Sequence, residues 1–98
     1  MKLTERQKKH LRGLAHPLKP VISLGDKGVT DAFLQELDTT LEHHELIKVK
    51  VRAGDRDVRN TIIAELAEKM SAELVSRIGN VATLYRARRK KPGISLPN

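Results

Sequence analysis

The sequence predicts an α+β fold in which helices and strands follow one another in the order αβαβαββ and the helices pack on a mixed four-stranded sheet. Three segments carry apolar residues at helical spacing, and short apolar or alternating runs separate them. The pair Gly79-Asn80 divides the last two runs, which is typical of a hairpin. The first two strands are joined through a helix, so we expect them to be parallel with a right-handed crossover.

A capping-box pattern at Thr4 and Gln7 predicts a first helix from about residue 5 to residue 15. Its apolar stripe is expected to comprise Leu3, Leu11, Leu14 and Ala15. Pro17 and Pro20 then stop the helix, because proline and the residue before it disfavour helical backbone.

The run from Val21 to Leu24 reads as a buried strand, and a second helix is capped by Thr30 or Asp31 and extends to about His43. Its core positions are expected at Phe33, Leu34, Leu37 and Leu41. Residues 46–52 alternate between apolar and basic side chains, which predicts a half-exposed strand.

A turn at residues 53–56 leads into a third helix. Its buried side is expected to carry Val58, Ile62, Leu66 and Met70, with Ile63 and Ala67 beside them. Residues 74–78 and 81–86 form the two hairpin strands. We expect one domain over residues 1–98, with a basic C-terminal tail from about residue 87 in which Ile94 and Leu96 fold back onto the domain.

The charge balance favours a polyanionic partner. The chain has 19 basic and 12 acidic residues, a net charge of +7. Five acidic residues fall in residues 30–45, where lysine and arginine are absent: Asp31, Glu36, Asp38, Glu42 and Glu45. A basic surface with one acidic helix set apart fits a protein with a side that faces nucleic acid.

Gly25, Asp26, Lys27 and Gly28 form a loop, named here the glycine loop, between an apolar strand and a helix start. GXXG loops clamp the nucleic-acid backbone in KH domains. The N–H groups of a helix N-terminus attract phosphate. We expect this loop to bind RNA, with Asp26 the less expected of the middle residues, because a carboxylate disfavours phosphate unless it points aside or caps the helix.

Further phosphate contacts are expected from basic residues of the first helix, the following loop and the C-terminal run: Lys8, Lys9, Arg12, Lys19, Arg86, Arg88, Arg89, Lys90 and Lys91. The C-terminal run has an alternative interpretation as a solvated tail. Lys48, Lys50 and Arg52 form either a row of phosphate contacts or a strand face whose lysines discourage edge pairing.

Other site types find little support in the residues. The two aromatic residues, Phe33 and Tyr85, are too few for a base-stacking platform, and Phe33 is expected in the core. The adjacent His43 and His44 would diverge on a helix, so we expect neither a metal nor another cofactor. No catalytic constellation or P-loop is discernible, so we expect no enzyme and no small-molecule substrate. The absence of cysteine fits a reducing cytosol, and no apolar stretch is long enough to span a bilayer, so we expect a cytoplasmic protein without membrane contact. We also expect a monomer, although the residues do not determine the oligomeric state.

Several segments together resemble the CRM (chloroplast RNA splicing and ribosome maturation) domain in its stand-alone, bacterial YhbY-like form. They are residues 13–21 (GLAHPLKPV), the glycine loop, residues 41–51 (LEHHELIKVKV) and residues 94–97. The resemblance implies a domain similar to the C-terminal domain of translation initiation factor three, with its glycine loop facing RNA. It also implies association with ribosomal RNA in precursors of the large (50S) subunit.

Two other functions remain open from the residues alone. One is a general DNA-binding protein. The other is a protein-interaction adaptor that uses the acidic second helix.

Overall fold

The computed structural model describes residues 2–25, 27–52 and 54–98. Helix α1 spans Glu5–Ala15, α2 spans Asp31–His44 and α3 spans Arg56–Met70. The strands are β1 (Pro20–Leu24), β2 (Leu46–Val51), β3 (Glu73–Ile78) and β4 (Val81–Tyr85). The predicted order αβαβαββ is therefore confirmed.

Each helix begins where a polar side chain accepts a hydrogen bond from the first turn. In α1, the N–H of Gln7 donates to Thr4 Oγ1 at 3.1 Å and the N–H of Thr4 donates to Gln7 Oε1 at 3.0 Å, which completes the expected capping box. Thr30 caps α2 and Asp55 caps α3 in the same manner. Local sequence signals thus define all three helix starts.

The four strands form one sheet in the order β1-β2-β4-β3. As expected, β1 and β2 are parallel and β3 and β4 are antiparallel. The sequence did not predict that β4 also pairs with β2, antiparallel, in a register that sets Leu46 opposite Tyr85 and Lys50 opposite Val81. This pairing makes β2 an interior strand.

Helices α2 and α3 cover one face of the sheet, and α1 covers part of the other. Successive residues on a strand point to opposite faces. Ile47 and Leu84 accordingly join the cluster that contains Leu37 of α2, while their neighbours Leu46 and Tyr85 join a second cluster. The second cluster also contains Leu3, Leu11, Ala15 and Val75, with Ala87, Ile94 and Leu96 packed against it.

The expectation that β1 is buried throughout is wrong, because its residues alternate between faces and Val21 is 53% exposed. Two predicted core positions on helices are also wrong. Leu14 of α1 is 43% exposed and Val58 of α3 is 46% exposed. Each lies on a helix whose neighbouring apolar residues, such as Leu11 and Ile63, already fill the contact with the sheet. The expected burial of Phe33 and the docking of Ile94 and Leu96 are confirmed.

At the hairpin between β3 and β4, Gly79 adopts φ 60°. A side chain disfavours this backbone conformation, and glycine tolerates it without cost. Within the described residues, no helix is both long and apolar enough to span a bilayer.

Leu11 and Leu14 offer a test of the packing on a single helix. We expect Leu11→Ala to lower the free energy of unfolding by about 2–5 kcal/mol, because a fully buried side chain leaves a cavity. Leu14→Ala should cost less than about 1 kcal/mol, as surface substitutions do. Urea unfolding of the two variants measures the difference, and equal losses would contradict the placement of α1.

Candidate nucleic-acid interface

Gly25 and Gly28 of the glycine loop are joined by a hydrogen bond between the end of β1 and the start of α2. The N–H of Gly28 donates to the carbonyl of Gly25 at 3.1 Å, and Gly28 has φ 72°. A Cβ at either glycine would lie in open space, with nothing within 4 Å. Space alone would admit a side chain at Gly28, so it is the positive φ that favours glycine there. Gly25 has no such φ, and the absence of a side chain leaves space for another molecule to approach.

Asp26 lies outside the described residues. Lys27 is exposed. The N–H of Phe33 is taken by Thr30 Oγ1 at 3.1 Å and that of Gly28 by the turn, so neither group is available to phosphate. Asp31 and Ala32 occupy the first turn of α2, where an α-helix supplies no carbonyl to their N–H groups. These two N–H groups and the Lys27 ammonium are therefore donors beside the loop that could meet phosphate.

The glycine loop lies at one end of the sheet. The N–H of Arg52 donates to the carbonyl of Leu24 at 3.2 Å, and the N–H of Val51 donates to the carbonyl of Asn80 at 2.7 Å. The end of β2 and the β3–β4 hairpin therefore lie at the same end of the sheet as the loop.

The basic side chains of β2 lie on the face that α1 only partly covers. Lys48 and Lys50 are half-buried, and Lys48 Nζ donates to the carbonyl of Leu18 at 3.0 Å. Because β2 is interior, the interpretation of these lysines as protection of a sheet edge is wrong. Lys48, Lys50 and Arg52 instead form a row that leads along the sheet toward the end that carries the glycine loop.

The basic residues of α1 lie at the opposite end of the sheet, because α1 packs against Leu46 and Tyr85. Lys9 and Arg12 are exposed, as is Lys19 in the loop that follows. Lys8 is half-buried and lies 3.8 Å from Glu5. The structure thus separates this group from the glycine loop.

Arg86, which is expected to contact phosphate as part of the C-terminal run, is engaged within the fold. Its side chain is only 13% exposed, and Nη1 donates to Asp38 Oδ1 at 2.8 Å and to the carbonyl of Met70 at 3.1 Å. Nη2 donates to the carbonyl of Asp38 at 3.0 Å and lies 3.6 Å from Glu42 Oε1. Arg86 ties β4 to α2 and to the end of α3, which leaves little of it for RNA.

Arg88 is also engaged within the chain. Its Nε donates to the carbonyl of Glu42 at 3.0 Å and its Nη2 to that of His43 at 2.8 Å. These carbonyls belong to the last turn of α2, where a helix lacks its own donors and a positive charge is favourable. Arg88 therefore caps α2, a role that the sequence analysis did not identify.

The last three residues of the run are solvent-facing: Arg89, Lys90 and Lys91 are all exposed. They follow the cap of α2, whereas the glycine loop precedes the first residue of α2. A helix of 14 residues is about 21 Å long at 1.5 Å per residue. Among the predicted RNA contacts, the glycine loop and residues 89–91 therefore lie near opposite ends of α2, and the exposed residues of α1 with Lys19 form a third group. The row on β2 lies on the face of the sheet away from α2.

The histidines do not form a chelating pair. The rings of His43 and His44 meet edge to face with their centroids 4.6 Å apart. Across residues 2–25, 27–52 and 54–98, no group of three His, Cys, Asp or Glu side chains is placed to hold a metal ion.

Comparison with known proteins now adds to this geometry. The CRS1 / YhbY (CRM) domain matches residues 3–86. The chain belongs to the CRM family. The resemblance seen in the sequence is thereby confirmed, and the match ends at Arg86, before the exposed residues of the C-terminal run.

Relatives of this CRM protein carry names that refer to RNA. The chain is 45% identical over 84 residues to a Haemophilus influenzae protein named "RNA-binding protein", an alignment that covers 86% of this chain and 85% of the relative. It is 41% identical over 98 residues to a Pseudomonas aeruginosa protein named "Probable RNA-binding protein", covering 100% and 93% respectively.

A solved structure has the same fold. The solution structure of a hypothetical Staphylococcus aureus protein, described as a candidate RNA-binding protein, matches with a TM-score of 0.84 and 36% identity over 98% of this chain and 100% of that one. The α+β architecture predicted for the CRM domain is confirmed by this match and by the strands and helices described above.

Tyr85 is the last residue of β4 and is buried in the cluster that β4 forms with α1. It provides a spectroscopic test of this part of the structure. Burial, together with the negative charge of Glu45, raises the pKa of the Tyr85 phenol above its ordinary value of 10.0. The folded state then holds the proton more tightly than the unfolded state. Its contribution to stability is complete below about pH 10 and is lost as the pH rises through the folded-state pKa.

The chain has one tyrosine and no tryptophan, so ultraviolet titration reports on Tyr85 alone. We expect the folded protein to ionise at higher pH than the same protein in denaturant. Coincident titration curves would show that Tyr85 is solvent-accessible.

Proposed function

We propose that this CRM protein binds RNA through its glycine loop and exposed basic side chains. We further propose that the RNA is ribosomal RNA in precursors of the large (50S) subunit, whose assembly the protein assists. The observation that carries the proposal is the exposed, turn-closed loop with Lys27 beside the N-terminus of α2, in a chain that belongs to the CRM family. The names of the relatives support RNA as the partner.

The proposed recognition relies on phosphates rather than on stacked bases. The chain has two aromatic residues among Phe, Tyr and Trp, and both Phe33 and Tyr85 are buried. Base stacking on exposed aromatic rings is therefore not available from these side chains. Charge, helix N–H groups and shape remain, and these favour the sugar–phosphate backbone.

The distribution of basic residues implies a long footprint. RNA that contacts both Lys27 and the exposed residues 89–91 has to extend over a distance comparable to the length of α2, about 21 Å. Lys48, Lys50 and Arg52 lie between the two ends and add positive charge along the uncovered part of the sheet.

The adaptor hypothesis is disfavoured by the ion pairs of α2. Asp38, Glu42 and Glu45 face Arg86 and Arg88 at 2.8–3.9 Å, so part of the acidic surface is neutralised within the chain. The DNA hypothesis is tested by competition: we expect structured ribosomal RNA to displace a labelled RNA at concentrations where duplex DNA does not. Equal competition by duplex DNA would favour a general nucleic-acid-binding protein.

The salt dependence of binding tests the phosphate mechanism. If about six phosphates are neutralised, the logarithm of RNA affinity should fall against the logarithm of salt concentration with a slope of roughly −4 to −5. Fluorescence anisotropy over a series of salt concentrations measures this slope. A flat dependence would contradict recognition through phosphates.

Lys27 and Gly25 test the loop itself. Lys27→Ala should reduce the salt slope by about one, because one phosphate contact is lost. Lys69→Ala is the matched control, since Lys69 pairs with Glu65 at 3.3 Å on α3, away from the loop, and should leave the slope unchanged.

Gly25→Ala should weaken RNA binding with a change in the free energy of unfolding below about 1 kcal/mol, because its backbone is unstrained and the new methyl group meets nothing in the free protein. Gly28 is a poorer choice for this purpose, because a side chain at φ 72° strains the fold. Unchanged RNA affinity for both Lys27→Ala and Gly25→Ala would remove the glycine loop from the interface.

A further inference from the structure

Residues 88–93, named here the basic corner, fold around the carboxylate of Glu45. Glu45 Oε2 accepts from the N–H of Arg88 at 2.9 Å, and Oε1 accepts from the N–H of Gly93 at 2.8 Å. The Arg88 guanidinium lies 3.9 Å from Oε1. One side chain on the α2–β2 junction thus holds both ends of a six-residue loop that lies 43 to 48 positions away in the chain.

Glu45 is an unusual residue to find in this position. It is 1% exposed, and its backbone has φ 66°, a conformation that residues with side chains rarely adopt. A buried carboxylate is costly unless hydrogen bonds and a counter-charge compensate it. Here the hydrogen bonds come from the N–H groups of Arg88 and Gly93, and the counter-charge is the Arg88 guanidinium. The burial of Glu45 is therefore compensated by specific contacts with the basic corner.

The corner is closely fitted at Gly93. A Cβ on this residue would lie 3.0 Å from Glu45 Oε1, so the carboxylate or the loop would have to shift to admit it. The chain also reverses at Lys91, which has φ 54°. These constraints give the loop a defined conformation in place of a flexible tail.

As a consequence, the cations of the basic corner differ in what they contact. Arg88 turns inward to the carbonyls of Glu42 and His43, while Arg89, Lys90 and Lys91 remain exposed. The N–H of Arg89 donates to Glu42 Oε2 at 3.3 Å, which fixes the backbone where the exposed group begins. Three cations are thereby presented together from an ordered backbone.

We infer that Glu45 is a positioning residue that presents Arg89, Lys90 and Lys91 as a second, preformed phosphate-binding group, distinct from the glycine loop. The inference rests on the proposed RNA-binding function. Its physical basis is preorganisation: a backbone that is already ordered loses less conformational entropy when it binds a polyanion. Glu45 contributes to RNA affinity although its own negative charge is unfavourable to RNA.

The inference is testable because the charge of Glu45 and its proposed positioning role have opposite effects on RNA affinity. Glu45→Gln is nearly isosteric, but both carboxylate oxygens accept N–H groups, so the amide NH2 must face a donor at one of them. The substitution raises the net charge by one, which on electrostatics alone would strengthen RNA binding. We expect it instead to weaken binding about threefold or more. Glu36→Gln is the matched control at an exposed position of α2, and it should leave affinity unchanged or slightly raise it.

The experiment combines Glu45→Gln with Arg89→Ala, Lys90→Ala and Lys91→Ala in a cycle of four proteins: wild type, Glu45→Gln, the triple variant and the quadruple variant. Affinity for a structured fragment of large-subunit ribosomal RNA is measured by anisotropy over a salt series, with circular dichroism as the check of folding. In the triple variant, the slope of log affinity against log salt should be smaller in magnitude by about two to three, because three cations are removed. Glu45→Gln should have no further effect on affinity in the triple background.

Gly93→Ala provides a second variant in case Glu45→Gln unfolds. Gly93→Ala keeps the Glu45 carboxylate and displaces the basic corner from it. It should weaken RNA binding in the wild-type background, and it should have no effect in the triple variant, which lacks the three cations. If Glu45→Gln or Gly93→Ala lowers RNA affinity equally in the wild-type and triple-variant backgrounds, the residue has a general structural role and the inference is overturned. Wild-type affinity in the triple variant would also overturn it, while leaving the glycine loop as the RNA site. Failure of the wild type to bind any RNA would overturn the proposed function and this inference together.

Discussion

The packing of α2 on the sheet is the constraint on which the candidate interface depends. Leu37 and Leu41 are fully buried against a cluster that includes Ile22 and Val49 of the parallel strands β1 and β2. This contact fixes the helix between the end of β1 and the start of β2. Its N-terminus therefore follows the glycine loop, and its C-terminus meets the C-terminal segment of the chain. Lys27 and the exposed residues 89–91 are thereby separated by about the length of α2.

The acidic residues of α2 and of its C-cap form contacts within the chain that charge counting alone does not reveal. Asp38, Glu42 and Glu45 bind Arg86 and Arg88, two of the residues that the basic run contributes, and leave Arg89, Lys90 and Lys91 exposed. The partly buried pair of Arg86 and Asp38 joins β4 to α2, and Arg88 caps the last turn of the helix. The same set of acids thus helps to order the C-terminal segment and separates structural from solvent-facing cations.

Local signals in the sequence were sufficient for the helix starts, the parallel crossover and the hairpin, because caps, prolines and glycines act over a few residues. The pairing of β2 with β4 was not predictable in this way, since it joins strands separated by α3 and β3. The exposure of Leu14 and Val58 likewise depends on how far each helix rolls on the sheet. The contacts of Arg86, Arg88 and Glu45 span more than 40 positions, and the only hint was an acidic segment and a basic run of matching size.

The most direct test of the account is a titration of the isotopically labelled protein with a structured fragment of large-subunit ribosomal RNA, followed by amide chemical shifts. The account predicts that the largest changes occur at residues 25–32 and 88–93, and that both sets of changes disappear together at high salt. Changes confined to α3 and the exposed edge of β3, with residues 25–32 unperturbed, would contradict it.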